Sequence, residues 1–434
     1  MKIFIKADKW FHLLIILIFC NFYNGFSANP IPDPANGNMI LKLNIKTVLL
    51  FKEGFELAAP VMRLKSEDKL KLTFDDLDAD LKHYKFTILH CQSDWTTSSD
   101  LQSIDYIEGY NEDNIDDFAY SFNTTVHYTH YSLIFPTPGL KPKLSGNYIL
   151  KVYIDDPADP VFSWRFMVFE TSLLGVVGNI HQANNISDRL AKQQIEFTIH
   201  YNGMQVDNPG RNIKVVITQN DCQDNALRNV QPSFTRGESL EYSNNDAISF
   251  DGGNEFRSFD IKSLIYQTER IRTIQHDDKG IQVRLLDDTR RTFKNYSSEK
   301  DINGRKLIKN EDHAQNSEIE ADYAWVYFTL PYQAMLSNGQ IYLLGALTDW
   351  QLNENSLMSY NFEQKCYVRK LFLKQGHYDY LYLFKDKITN RSEISFIEGT
   401  HWETENEYTI WIYYQASGDL YDRLLAVQNL NSIH

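Results

Sequence analysis

Cysteine is scarce, with four in 434 residues, and one of these, Cys20, lies inside an N-terminal apolar run. The other three (Cys91, Cys222, Cys366) are odd in number and far apart. That excludes a disulfide framework and a zinc ribbon, and buried thiols are the plain reading. Glycine (20) and proline (12) are too few for a collagen-like or low-complexity chain. Positive charge is outweighed, with 43 Lys and Arg against 57 Asp and Glu, a formal net of −14. No basic stripe stands out, so the chain lacks the footprint of a nucleic-acid binder and is equally unsuited to anionic lipid headgroups. Beyond the N terminus no run approaches the roughly 18 apolar residues that a membrane-spanning helix needs. The phosphate loop, the dinucleotide fingerprint, the Gly-x-Ser-x-Gly elbow and the His-Glu-x-x-His pair are all missing. No catalytic residue, cofactor or metal is therefore expected.

Aromatic residues are what the chain has in quantity: 26 Tyr, 26 Phe and 7 Trp. They favour strands and contact surfaces over helical bundles. Residues 1–27 read as a signal peptide, with Lys2, Lys6 and Lys9 before the apolar run Trp10–Cys20, and small Gly25 and Ser27 at the exit. The mature chain is expected to be exported. Strand-period alternation then dominates. Tyr84, Phe86, Ile88 and His90 share one face, as do Ile195, Phe197, Ile199 and Tyr201. Ile213/Val215/Ile217, Ile281/Val283/Leu285, Tyr378/Tyr380/Tyr382/Phe384 and Tyr408/Ile410/Ile412/Tyr414 repeat the pattern. Helical periodicity is sparse, with one short turn expected at Ser187–Gln194. The fold class is all-β: tandem immunoglobulin-like sandwiches over 29–171, 173–316 and 320–434, the second fading into the polar stretch Ser297–Asp322.

His127 and His130, three apart, invite a metal reading, but no nearby Cys or carboxylate completes a shell. His90 and Cys91 are adjacent on a strand and point to opposite faces, so they do not make a nucleophile–base pair. In the last unit, Gly339 to Trp350 (GQIYLLGALTDW) precedes Tyr367–Lys374 and Gln375–Tyr380. This order resembles the early-set sandwiches of glycogen-binding modules. The alternative function is accordingly an exported glycan-binding protein, with Trp350 or Trp402 stacking on sugar.

The first unit carries His90-Cys91-x-x-Asp94-Trp95, Tyr106-Ile107-Glu108-Gly109-Tyr110, Ser121-Phe122-Asn123-Thr124 and Tyr128–Tyr131. Phe135-Pro136, Ser145-Gly146-Asn147-Tyr148 and Arg165-Phe166-Met167-Val168 follow. Together with Ala321–Val326 and Gly345–Trp350, this series resembles the type IX secretion system plug protein family of Bacteroidota. The resemblance implies a non-enzymatic periplasmic protein that binds the outer-membrane translocon barrel and blocks its pore. It implies association with the membrane only through that partner; outside the complex a monomer is expected. An acidic, Tyr-bearing segment suits a releasable interface, because Tyr covers area with few rotors and keeps a polar tip. Docking is therefore expected from Asp105–Phe118 or Asn123–Tyr131, through Tyr106, Tyr110, Asn111, Asp116, His127 and His130.

Overall fold

The computed structural model describes residues 37–170, 174–312 and 314–432. The signal-peptide reading of residues 1–27 lies outside them. The chain folds into three two-sheet sandwiches, and the alternating residues named above point into their cores. In the first, one sheet runs Met39–Ile40, Phe162–Phe169, Gly146–Tyr153, Tyr84–Cys91 and Asp113–Ile115, with Val61–Arg63 parallel to Phe162–Phe169. The facing sheet runs Ile45–Lys52, Leu70–Asp76, Thr129–Phe135 and Asp117–Tyr120. Between them Phe74 stacks on Tyr131 and meets Tyr84 edge-on, each at 5.1 Å between centroids. Such pairs contribute about 0.5–1.5 kcal/mol each beyond the area they bury.

The second sandwich faces Gly175–Gln182, Lys192–His200, Ser239–Tyr242 and Phe234–Arg236 against Cys222–Arg228, Ile213–Gln219, Glu407–Tyr414 and Arg423–Asn431. Its last two strands come from the C-terminal end of the chain. The third sandwich is built from residues 257–398 and is inserted between the strands of the second. Arg257–Asp260, Gly376–Asp386 and Lys306–Ile308 form one of its sheets, with Gly339–Leu344 and Ser392–Glu393 also on Gly376–Asp386. Ile271–Asp277, Gly280–Leu285, Tyr323–Pro331, Cys366–Lys374 and Ser359–Asn361 form the other.

Sheet membership thus corrects the expected division at 316–320. The strands between residues 257 and 308 belong to the third sandwich, and the strands from Glu407 onward belong to the second. The expected helical turn at Ser187–Gln194 is an irregular turn that gives way to a strand at Lys192.

The two crossings into the inserted sandwich run side by side. His401 N–H donates to the Gly253 carbonyl (2.8 Å), and Asn254 Nδ2 donates to the Glu398 carbonyl (2.8 Å). Arg257 and Glu398, its first and last residues, form a buried ion pair at 2.8 Å.

Candidate docking surface and the junctions behind it

The chain enters the expected docking segment through a single helical turn, Ser103–Tyr106, where Gln102 N–H donates to Asp105 Oδ2 (2.8 Å). That turn aims Tyr106 inward. Its ring lies 6.0 Å from His90 and 6.3 Å from Tyr148, and Tyr106 is 7% exposed. Tyr106 is therefore core, which corrects its place in the expected contact set. An aromatic inside an acidic stretch carries no sign of which way it faces. Tyr110 is 74% exposed, held by its N–H to the Gly139 carbonyl (2.7 Å). Asn111 is exposed, and its carbonyl accepts from Thr87 Oγ1 (2.6 Å). Asp116 is exposed at the corner where the chain leaves one sheet at Ile115 and joins the facing sheet at Asp117. Phe118, Tyr120 and Phe122 then emerge in alternation as exposed rings. Tyr120 and Phe122 were missed in the sequence; the period-2 spacing of three aromatics was the available signal.

His127 is exposed, whereas His130 is buried. Its Nδ1 lies 2.6 Å from Asp75 Oδ1, and since an ionised carboxylate only accepts, Nδ1 carries the proton. This corrects His130 from docking residue to junction residue between the first and third sandwiches. Asp75 Oδ2 also accepts from Lys374 Nζ and from the Tyr323 hydroxyl, both at 2.6 Å. Burial alone would raise the Asp75 carboxyl, but Lys374 and His130 beside it hold it below the ordinary range. Burial pushes the Lys374 ammonium down against the pull of Asp75. A bulge in Ile45–Lys52 turns Thr47 (φ 50°) out of register, where Thr47 Oγ1 meets the Tyr323 hydroxyl at 2.6 Å. Asp322 accepts from the N–H groups of Thr125 (2.6 Å) and Val126 (3.1 Å).

The junction of the first and second sandwiches uses the quoted sequence motifs. The Tyr413 hydroxyl donates to Asn147 Oδ1 (2.8 Å), and Ser93 N–H donates to Asp422 Oδ2 (3.0 Å). Cys91, Trp95, Ile149 and Met167 pack there against Val216, Trp411 and Leu424. Gly146 (φ 136°) has no room for a side chain, since a Cβ would stand 2.6 Å from His90 Nε2. Where all three sandwiches meet, a cavity of about 400 Å³ is lined by Trp95, Trp164, Trp350 and Trp411, with Arg165 lying 4.3 Å over the Trp95 ring. Trp350 is half-buried there, edge-on to Phe256 at 6.2 Å. Trp402 is half-buried beside Ile180–Asn184 and borders a different cleft. The two candidate sugar platforms therefore do not share a site.

A family model described as the type 9 secretion system plug protein 1st domain matches residues 45–170, the first sandwich. The chain belongs to the type IX secretion system plug protein family. Membership ties the protein to the type IX secretion machinery, in the cell envelope, through a secretion-associated and non-enzymatic domain. The chain is also similar over most of its length to a hypothetical protein of Parabacteroides merdae with a solved crystal structure. The two are 32% identical with a TM-score of 0.87, over 91% of this chain and 99% of the other. Among curated proteins no match is found. In this plug-family chain the matched unit carries both the exposed aromatic wall and one side of each junction.

Proposed function

We propose that the protein is a periplasmic plug: a body that docks on the outer-membrane translocon barrel of the type IX system and closes its periplasmic mouth without chemistry. The observation that carries this reading is the coincidence of the family match with the exposed, acidic and aromatic wall Tyr110–Phe122 on the same unit. A stopper needs a body that does not deform, and packed inter-sheet cores joined through buried polar contacts supply stiffness. It also needs to release, which suits a polar, Tyr-rich contact of moderate size. Tagged translocon barrel extracted from the outer membrane is expected to bring the protein with it. Deleting the gene is expected to admit large antibiotics that an intact outer membrane excludes. Absence of the protein from the purified barrel, with unchanged antibiotic entry, would remove this reading.

A further inference from the structure

Asp117–Tyr120 is the last strand of its sheet and pairs only with Thr129–Phe135. Ser121 N–H donates to the Tyr128 carbonyl (2.9 Å), which fixes the alternation: Ala119 and Asp117 face the neighbouring strand, while Phe118 and Tyr120 turn their N–H and C=O groups outward. Phe122 continues the outward set, and its N–H already donates to the Ile319 carbonyl of the third sandwich (2.9 Å). At Phe118 and Tyr120 no such partner exists among the described residues. Natural sheet edges are commonly guarded by Lys, Pro or a bulge. This one instead shows Phe118 at 38%, Tyr120 at 54% and Phe122 at 60% exposure. Asp116 and Asp117, both exposed, stand at its opening end in a chain of net charge −14.

Resting on the plug reading, we infer that this edge receives an extended segment of the translocon barrel carrying Lys or Arg, which adds a strand beside Asp117–Tyr120. Backbone bonds from Phe118 and Tyr120 supply the affinity, the rings of Phe118, Tyr120 and Phe122 cover the added strand, and Asp116 and Asp117 select its charge.

Hydrogen exchange on the full-length protein, free and bound to detergent-purified barrel, tests this directly. The Phe118 and Tyr120 amides are expected to exchange fast when free and to become protected when bound. Tyr120→Pro and Tyr120→Ala both remove the ring, but only proline removes the outward N–H, at an edge position that tolerates it. Capture is expected to weaken by about tenfold in the alanine variant, the scale of a lost aromatic anchor, and further in the proline variant. The double reversal Asp116→Lys with Asp117→Lys is expected to weaken capture in a salt-dependent way. A captured wild type whose Phe118 and Tyr120 amides still exchange as in the free protein overturns the edge inference and leaves the plug reading standing. Protection of the same amides through self-association, without barrel, also overturns it. Wild type that is never captured defeats both.

Discussion

His90 shows how one side chain is committed by its surroundings. Its Nε2 lies 3.1 Å from the Ser145 carbonyl and must carry the proton, while Nδ1 accepts from the Ser98 hydroxyl at 2.8 Å. Burial pushes its pKa down to about 4. In the unfolded chain the imidazole takes up a proton near the ordinary value, but in the folded protein it does not. Stability is thus lost as pH falls from about 6.5 towards 4, by up to about 3 kcal/mol from this group. Thermal unfolding at pH 7.5 and pH 5 is expected to show that loss, and His90→Gln is expected to flatten it. An unchanged slope in the variant would place the acid sensitivity elsewhere.

At the scale of elements, the first and third sandwiches meet through the ends of strands. Leu70–Asp76 and Thr129–Phe135 contribute Asp75 and His130, and they face Tyr323 at the start of one strand and Lys374 at the end of another. Removing one partner of a buried pair leaves the other charge uncompensated, at a cost of about 3–5 kcal/mol. Lys374→Met is expected to fall in that range by urea denaturation, and adding Asp75→Asn is expected to recover part of the loss. A double variant as weak as the single would show that the packing of Lys374 on Tyr128 (4.1 Å) matters more than its charge. Much of this layer was legible in the sequence, because alternation alone assigns the inward faces of Tyr84–His90, Ile195–Tyr201 and Tyr408–Tyr414. Which strands pair was not legible. The partnership of Ile213–Gln219 with Glu407–Tyr414 spans about 200 residues and leaves no local mark. Of the expected docking residues, Tyr110, Asn111, Asp116 and His127 are exposed, whereas Tyr106 and His130 carry the same residue types into buried partnerships that only tertiary contacts determine.

For the whole molecule, the insertion decides which cuts the protein survives. Ending the chain after residue 320 removes Glu407–Tyr414 and Arg423–Asn431, half of one sheet of the second sandwich, and bares the core residues Ile213, Val215 and Ile217. That truncation is expected to bind hydrophobic dye and to be digested by protease throughout the second unit. Replacing residues 254–399 by a short flexible link is expected to keep the first two sandwiches folded, with near-ultraviolet dichroism and protease resistance retained, because the two crossings already lie within hydrogen-bond reach. Collapse of that shortened protein would show that the inserted sandwich also holds its host together. The same nesting dictates an order of events. Any process that feeds the chain out from its N terminus, whether a ribosome or a translocation channel, releases the guest complete while its host still waits for two strands. Until Glu407–Tyr414 and Arg423–Asn431 arrive, the host's half-built sheet needs shelter from aggregation.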